Sequence, residues 1–116
     1  MCGIAGYHGL PADPALLERM NAHQQHRGPD GDGICVDGPC GLAHRRLSII
    51  DIAHGPQPMD TADGRYAIAY NGEVYNYLGL RGELGALGRT FTTDSDTEVV
   101  LQAFAQWGAD AFDRFN

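Results

Sequence analysis

The sequence has 116 residues, 43% of them hydrophobic and 20% charged, with a formal net charge of −7. That length holds one domain with a modest core, and an acidic balance repels phosphate backbones, which argues against a nucleic-acid partner. No stretch approaches the ~18 consecutive apolar residues of a membrane helix, and the N-terminus lacks the basic-then-apolar pattern of a secretory signal.

Residues 3–7 are small and apolar and end on an aromatic, as a buried strand does. Asp13-Pro14 is a helix entry, with Asp as N-cap and Pro at the first helical position. Leu16, Leu17 and Met20 then fall on one face, and Gly28-Pro29 stops the helix. Residues 31–41 predict a hairpin turning at Asp37-Gly38. Residues 42–50 are strand-like but interrupted by His44-Arg45-Arg46, and residues 53–64 form a loop rich in Gly, Pro and Asp.

Alternation over 66–70, followed by Asn71-Gly72, is the strongest hairpin pattern in the chain. Residues 78–87 predict a helix weakened by Gly79, Gly82 and Gly85, at about 1 kcal/mol each against Ala. Ser95-Asp96-Thr97-Glu98 reads as a capping box, and Val99, Val100, Ala103, Phe104 and Trp107 give the following helix a wide apolar face. Gly108 breaks it, and a short amphipathic piece with Phe112 and Phe115 closes the chain. The three cysteines, Cys2, Cys35 and Cys40, match no zinc-finger or ribbon spacing. A reducing cytoplasm is the simplest location.

Cys2 is the residue with the most chemistry. With Met1 removed it carries a thiol and a free α-amine, whose reference pKa of about 7.7–8.0 lets it act as a base near neutral pH. Nucleophile and base then share one residue. Alone, position 2 is a weak signal and reads better as a small hydrophobe in a strand.

Five stretches change the weighting: "MCGIAGY" (1–7), "HRGPDG" (26–31), "AHRRLSIID" (43–51), "YNGEVYNY" (70–77) and "SDTEVV" (95–100). In order and spacing they resemble the glutaminase domain of class II glutamine amidotransferases, most closely the asparagine synthetase branch of the glutamine-hydrolysing kind. The resemblance runs from residue 2 to the last residue. It implies an α+β fold of the N-terminal nucleophile hydrolase kind, two facing antiparallel sheets between helical layers (αββα). It implies that Cys2 attacks the side-chain amide of L-glutamine, forming a glutamyl thioester that water resolves to glutamate while ammonia passes to a synthetase site. It further implies an oxyanion hole from the Asn71 side chain and the Gly72 N–H. Arg46 would bind the substrate α-carboxylate, Glu73 and Asp96 would surround its α-amine, and the backbone of Arg46, Leu47, Ser48, Ile49 and Ile50 would line the pocket.

Each residue type suits its role. Preorganised donors stabilise an oxyanion, an arginine fork matches a carboxylate, and a carboxylate suits an ammonium group. Each also has a plainer reading. Asn71-Gly72 is the best type I′ turn dipeptide, Asp96 is a helix-start charge, and Arg45 is a solvated neighbour of Arg46. The 26–31 stretch terminates a helix, or by the resemblance forms a loop over the site. Cys35 and Cys40 are reduced structural cysteines. His23 and His26 lack the partners of a metal site, so no metal is expected.

The resemblance sets a boundary as well. The family's glutaminase domain continues past "DRFN" with further sheet, so residues 1–116 are expected to be a truncated glutaminase domain without the synthetase domain. ATP and magnesium belong to that second domain of the parent, and no cofactor is expected in these residues. The expected partners are glutamine, the ammonia-receiving synthetase domain and, for the parent, a second copy in a homodimer. Two alternatives stand beside the asparagine synthetase reading. One is the N-terminal half of a β-lactam-forming or peptide-modifying relative, of which the silent members lack the cysteine present here. The other is a non-catalytic remnant that binds glutamine or a partner.

Overall fold

Glycine and alanine recur through residues 3–6 and 41–43, where strands and a helix must approach closely. In the computed structural model, which describes residues 1–47 and 55–116, β1 (Gly3–His8), β2 (Gly31–Asp37) and β3 (Cys40–Arg46) form an antiparallel sheet in the order β1-β3-β2. Two short strands, β4 (Met59–Asp60) and β5 (Ala67–Ile68), form a separate ribbon. The helices are α1 (Pro14–His23), α2 (Tyr77–Ala86) and α3 (Asp96–Trp107), with a 3-10 helix over Gly108–Arg114. The class is α+β. The described residues form two compact units: 1–47 with 56–59 and 68–71, and 55 with 60–67 and 72–116.

The first unit is the three-stranded sheet with α1 on one face. Ala43 in β3 and Leu17 in α1 are both completely buried. The Tyr7 ring covers Gly41, where an added Cβ would come within 2.6 Å of it. Its hydroxyl accepts the Asp13 N–H at 2.9 Å, and the Asp13 carboxylate caps α1 by accepting from the Leu16 N–H at 2.9 Å. Strand end, cap and helix are thus joined through one aromatic residue. The helix stops at His23, not at Gly28-Pro29: residues 24–27 leave it in tight turns, with the Gln24 side chain against Gly3. The β2–β3 turn is Gly38-Pro39, one residue later than the sequence pattern places it. Gly38 has φ +52°. Proline cannot follow it into positive φ, so the turn takes its left-handed residue first, as a type II′ turn does, rather than the type I′ form of Asp-Gly.

The second expected hairpin is absent. Neither Asn71 nor Gly72 has positive φ, which a type I′ turn demands at both central residues, and both lie in irregular chain. The ribbon is instead the β4–β5 pair, closed by residues 61–66. There Thr61 Oγ1 donates to Asp63 and accepts the Tyr66 N–H at 3.1 Å, so side-chain hydrogen bonds define a turn that composition marks only as loop.

In the second unit α2 packs on α3, and Leu80 and Leu84 of α2 and Val99 and Leu101 of α3 are buried. The three glycines of α2 face open space, so they weaken the helix without disturbing that contact. Ser95 caps α3, accepting the Glu98 N–H at 3.2 Å. The reciprocal half of the capping box is missing. Glu98, 5% exposed, instead accepts the backbone N–H groups of Thr92 (2.9 Å) and Thr93 (2.7 Å) and both their hydroxyls. Burial alone would raise its carboxyl pKa; the bonds from Thr93 and Thr92 outweigh that and hold it below its ordinary value. Gly108, at φ +59°, ends the helix as expected.

Candidate active site

Strand register decides which side chains share a face, because directly opposed residues of an antiparallel pair lie side by side. Gly3 pairs with Arg45 and Ile4 with His44. Gly3 and Arg45 face α1: an added Cβ at Gly3 would meet Gln24, and Arg45 Nε donates to the Asn21 carbonyl at 3.1 Å. Arg45 is therefore half-buried at a helix end, not solvated. Alternation then puts Ile4, His44 and Arg46 on the opposite face. Cys2 directly precedes β1, at the end of the sheet where Arg46 closes β3.

The "HRGPDG" stretch acts on this end of the sheet. Arg27 Nε donates to the Cys2 carbonyl at 3.3 Å, and the Asp30 N–H donates to the Arg46 carbonyl at 3.0 Å. An added Cβ at Gly28 would collide with the backbone joining Arg45 and Arg46. The loop thus holds both strand ends, those carrying Cys2 and Arg46, a role that its reading as a helix terminator missed. His26 is exposed and makes no such contact.

The same face is tied to the chain around Asn71. His44, 2% exposed, donates from Nε2 to the Tyr70 carbonyl at 3.1 Å. The Tyr70 N–H donates to Gln57 Oε1 at 2.7 Å, and the Gln57 carbonyl packs against Gly33 of β2 so closely that only glycine fits there. His44 reads in sequence as a strand interruption and Gln57 as loop; the signal that exposes His44 is its period-two spacing with Leu42 and Arg46. Burial lowers the His44 pKa below its ordinary 6.5, the Tyr70 hydrogen bond works against this, and the charge of Arg46 adds to the lowering.

The second unit carries Gly72, Glu73 and Asp96. The Asp96 carboxylate accepts the Val74 N–H at 3.0 Å. Next along, the Tyr75 N–H donates to the Asn116 carbonyl at 2.6 Å, and the Asn76 amide bridges the Arg114 carbonyl (2.8 Å) and the Asn116 N–H (3.0 Å). Asn76 precedes α2 without capping it, because its side chain is engaged elsewhere. These bonds shape a cavity of 230 Å³ lined by Glu73, Val74, Tyr75, Tyr77 and Asp96. Two predicted site carboxylates thus face one small cavity, an arrangement suited to an ammonium group. Leu47 is half-buried just past β3; Ser48, Ile49 and Ile50 lie outside the described residues. His23 is exposed, and no group of three or more His, Cys, Asp or Glu among the described residues could hold a metal ion. Cys35 and Cys40 are not disulfide-bonded. No described helix is long and apolar enough to cross a membrane.

A family model of the glutamine amidotransferase domain matches residues 1–116. Curated relatives include asparagine synthetase [glutamine-hydrolyzing] 1 of Bacillus subtilis, 48% identical across 96% of this chain and 18% of its own length. A putative asparagine synthetase [glutamine-hydrolyzing] of Mycobacterium tuberculosis is 39% identical across 98% of this chain and 20% of its own. The root asparagine synthetase of Pisum sativum is 36% identical across 97% and 20%. The chain spans about a fifth of the length of these relatives. With the family model matched over all 116 positions, the chain belongs to the glutamine amidotransferase domain family.

Proposed function

We propose that this chain is the glutaminase part of an asparagine synthetase and hydrolyses the side-chain amide of glutamine with Cys2 as nucleophile. Met1 is 72% exposed and the next residue is small, so its removal meets no steric obstacle. The freed α-amine takes the Cys2 thiol proton as sulfur attacks the amide carbon. The oxyanion is received by the Asn71 side-chain N–H and the Gly72 N–H. Collapse breaks the C–N bond, the α-ammonium returns the proton to the leaving nitrogen, and ammonia departs from a glutamyl thioester. Water, deprotonated by the same amine, then displaces sulfur and releases glutamate.

Arg46 binds the substrate α-carboxylate through its planar fork, while Glu73 and Asp96 receive the α-ammonium. The backbone of residues 46–50 lines the pocket. Around this chemistry the fold is read as an αββα sandwich of the N-terminal nucleophile hydrolase kind. In a longer parent the ammonia would serve the ATP-dependent amidation of aspartate.

The observation that supports the reading is the sheet register: β1 starts at Gly3 opposite Arg45, so Cys2 and Arg46 flank that pair at one end of the sheet, and His44 of the same strand end holds the Tyr70 carbonyl next to Asn71. The test is intact-mass analysis with a glutamine-like electrophile. The expected species lacks Met1 and bears one label on Cys2. Retained Met1, or label on Cys35 or Cys40, would refute the reading.

A further inference from the structure

We propose that His44 is a positioning residue for the oxyanion donor: its Nε2–H, held on the Tyr70 carbonyl, sets the plane of the Tyr70–Asn71 peptide and thereby aims the Asn71 side chain. The assignment of Asn71 as donor rests on the proposed function; the positioning itself rests on geometry.

That geometry has three parts. The Tyr70–Asn71 peptide is planar, so a bond to its oxygen constrains the nitrogen and Cα of Asn71 as well. Tyr70 is held from both sides, its carbonyl by His44 at 3.1 Å and its N–H by Gln57 Oε1 at 2.7 Å. Neither Asn71 nor Gly72 belongs to a helix or strand, so ladder hydrogen bonds do not fix their orientation. A catalytic amide on irregular backbone needs such support, because small displacements of a reacting group cost large factors in rate.

His44 is equipped for the task by its surroundings. It is 2% exposed in the middle of β3. Its cross-strand neighbours, Ile4 and Gly33, do not titrate, and the charged group near it is Arg46 on its own strand. Burial and that positive charge favour the neutral ring. A neutral imidazole carries one N–H, and the Tyr70 carbonyl selects the Nε2 tautomer. The residue therefore acts as a fixed donor rather than a general base, and its one bond points at the peptide ahead of Asn71. It also links the Asn71 segment to the strand that carries Arg46, so both ends of the substrate are referenced to β3.

The test uses the full chain and two substitutions that differ in reach. His44→Gln places an N–H donor near the position of Nε2; His44→Asn keeps an amide that is too short. Glutamate release should fall about 10- to 100-fold in kcat for His44→Asn, short of the ~10²–10³ for outright loss of an oxyanion donor, with KM changed less than about threefold. His44→Gln should recover to within about threefold of the parent. Equal loss in both variants, or a loss confined to KM, overturns the proposal.

A second readout is independent of turnover. Nitrogen-15 NMR of the imidazole at neutral pH should show protonated Nε2 and bare Nδ1, and the Asn71 side-chain amide signals should shift in His44→Asn and return in His44→Gln. The opposite tautomer, or unmoved Asn71 signals, overturns it. A parent chain that releases no glutamate yet shows the expected NMR pattern would refute the proposed function while leaving the positioning intact.

Discussion

At Asn71 the sequence admits a turn residue and an oxyanion donor, and the two make opposite demands on the backbone. A type I′ turn needs positive φ at Asn71 and Gly72; neither has it. Asn71 is exposed and irregular, so truncating it removes little packing. Asn71→Ala is expected to lower glutamine turnover by ~10²–10³ while moving the unfolding midpoint by less than about 2 °C, in line with a surface change within ~0.5 kcal/mol. Paired kinetics and thermal melts check this, and a drop in melting temperature with unchanged turnover would restore the turn reading. Asp96 is a different case, because its helix-start reading leaves its proposed role open. It starts α3, where a negative charge is favoured, and the same carboxylate holds Val74 beside Glu73.

At the level of elements, glycines with the same composition signal have opposite consequences. Gly79, Gly82 and Gly85 of α2 face open space, so each Gly→Ala change there should stabilise the chain by up to about 1 kcal/mol, read as a higher denaturant midpoint with unchanged slope. Gly28 sits against the backbone of Arg45 and Arg46. Gly28→Ala should cost ~1–3 kcal/mol through overpacking and also weaken glutamine binding, because the displaced strand end carries Arg46. A Gly28→Ala chain with parental stability and KM would show that the loop does not hold that strand end. The early stop of α1 has the same cause: residues 24–27 must leave the helix for Arg27 to reach Cys2 and for Gly28 to reach β3, a demand that helix signals within 14–29 do not contain.

For the molecule as a whole, each unit buries one group that makes stability depend on pH in the acid direction. His44 has a lowered pKa in the folded chain. The unfolded chain therefore takes up the proton first, and this contribution is complete above the ordinary 6.5 and declines as pH falls toward the folded value. Glu98, held below its ordinary 4.5 by Thr92 and Thr93, contributes fully above that value and is lost as pH falls through its folded value. Thermal melts should thus show two successive losses on acidification, the upper one absent in His44→Gln and the lower one reduced in Glu98→Gln, where Asp63, whose pKa the Thr61 hydroxyl also lowers, remains. The latter should also be less stable at neutral pH, since an amide cannot accept from both threonine N–H groups as the carboxylate does. By itself the sequence determined the elements with local signals, namely the Asp13 and Ser95 caps, the Gly108 stop and the α3 apolar face, together with the family; the roles of Cys2, Arg46, Asn71, Gly72, Glu73 and Asp96 are what that resemblance implies. Only the tertiary structure decided that Asn71-Gly72 is no hairpin, that Glu98 turns back to Thr92 and Thr93, that His44 and Gln57 hold Tyr70, and that the Gly28 loop packs on the Arg45–Arg46 backbone. Those outcomes depend on hydrogen-bond partners 5 to 26 residues away in sequence, and a backbone donor or acceptor can be satisfied by distant groups that no local pattern records.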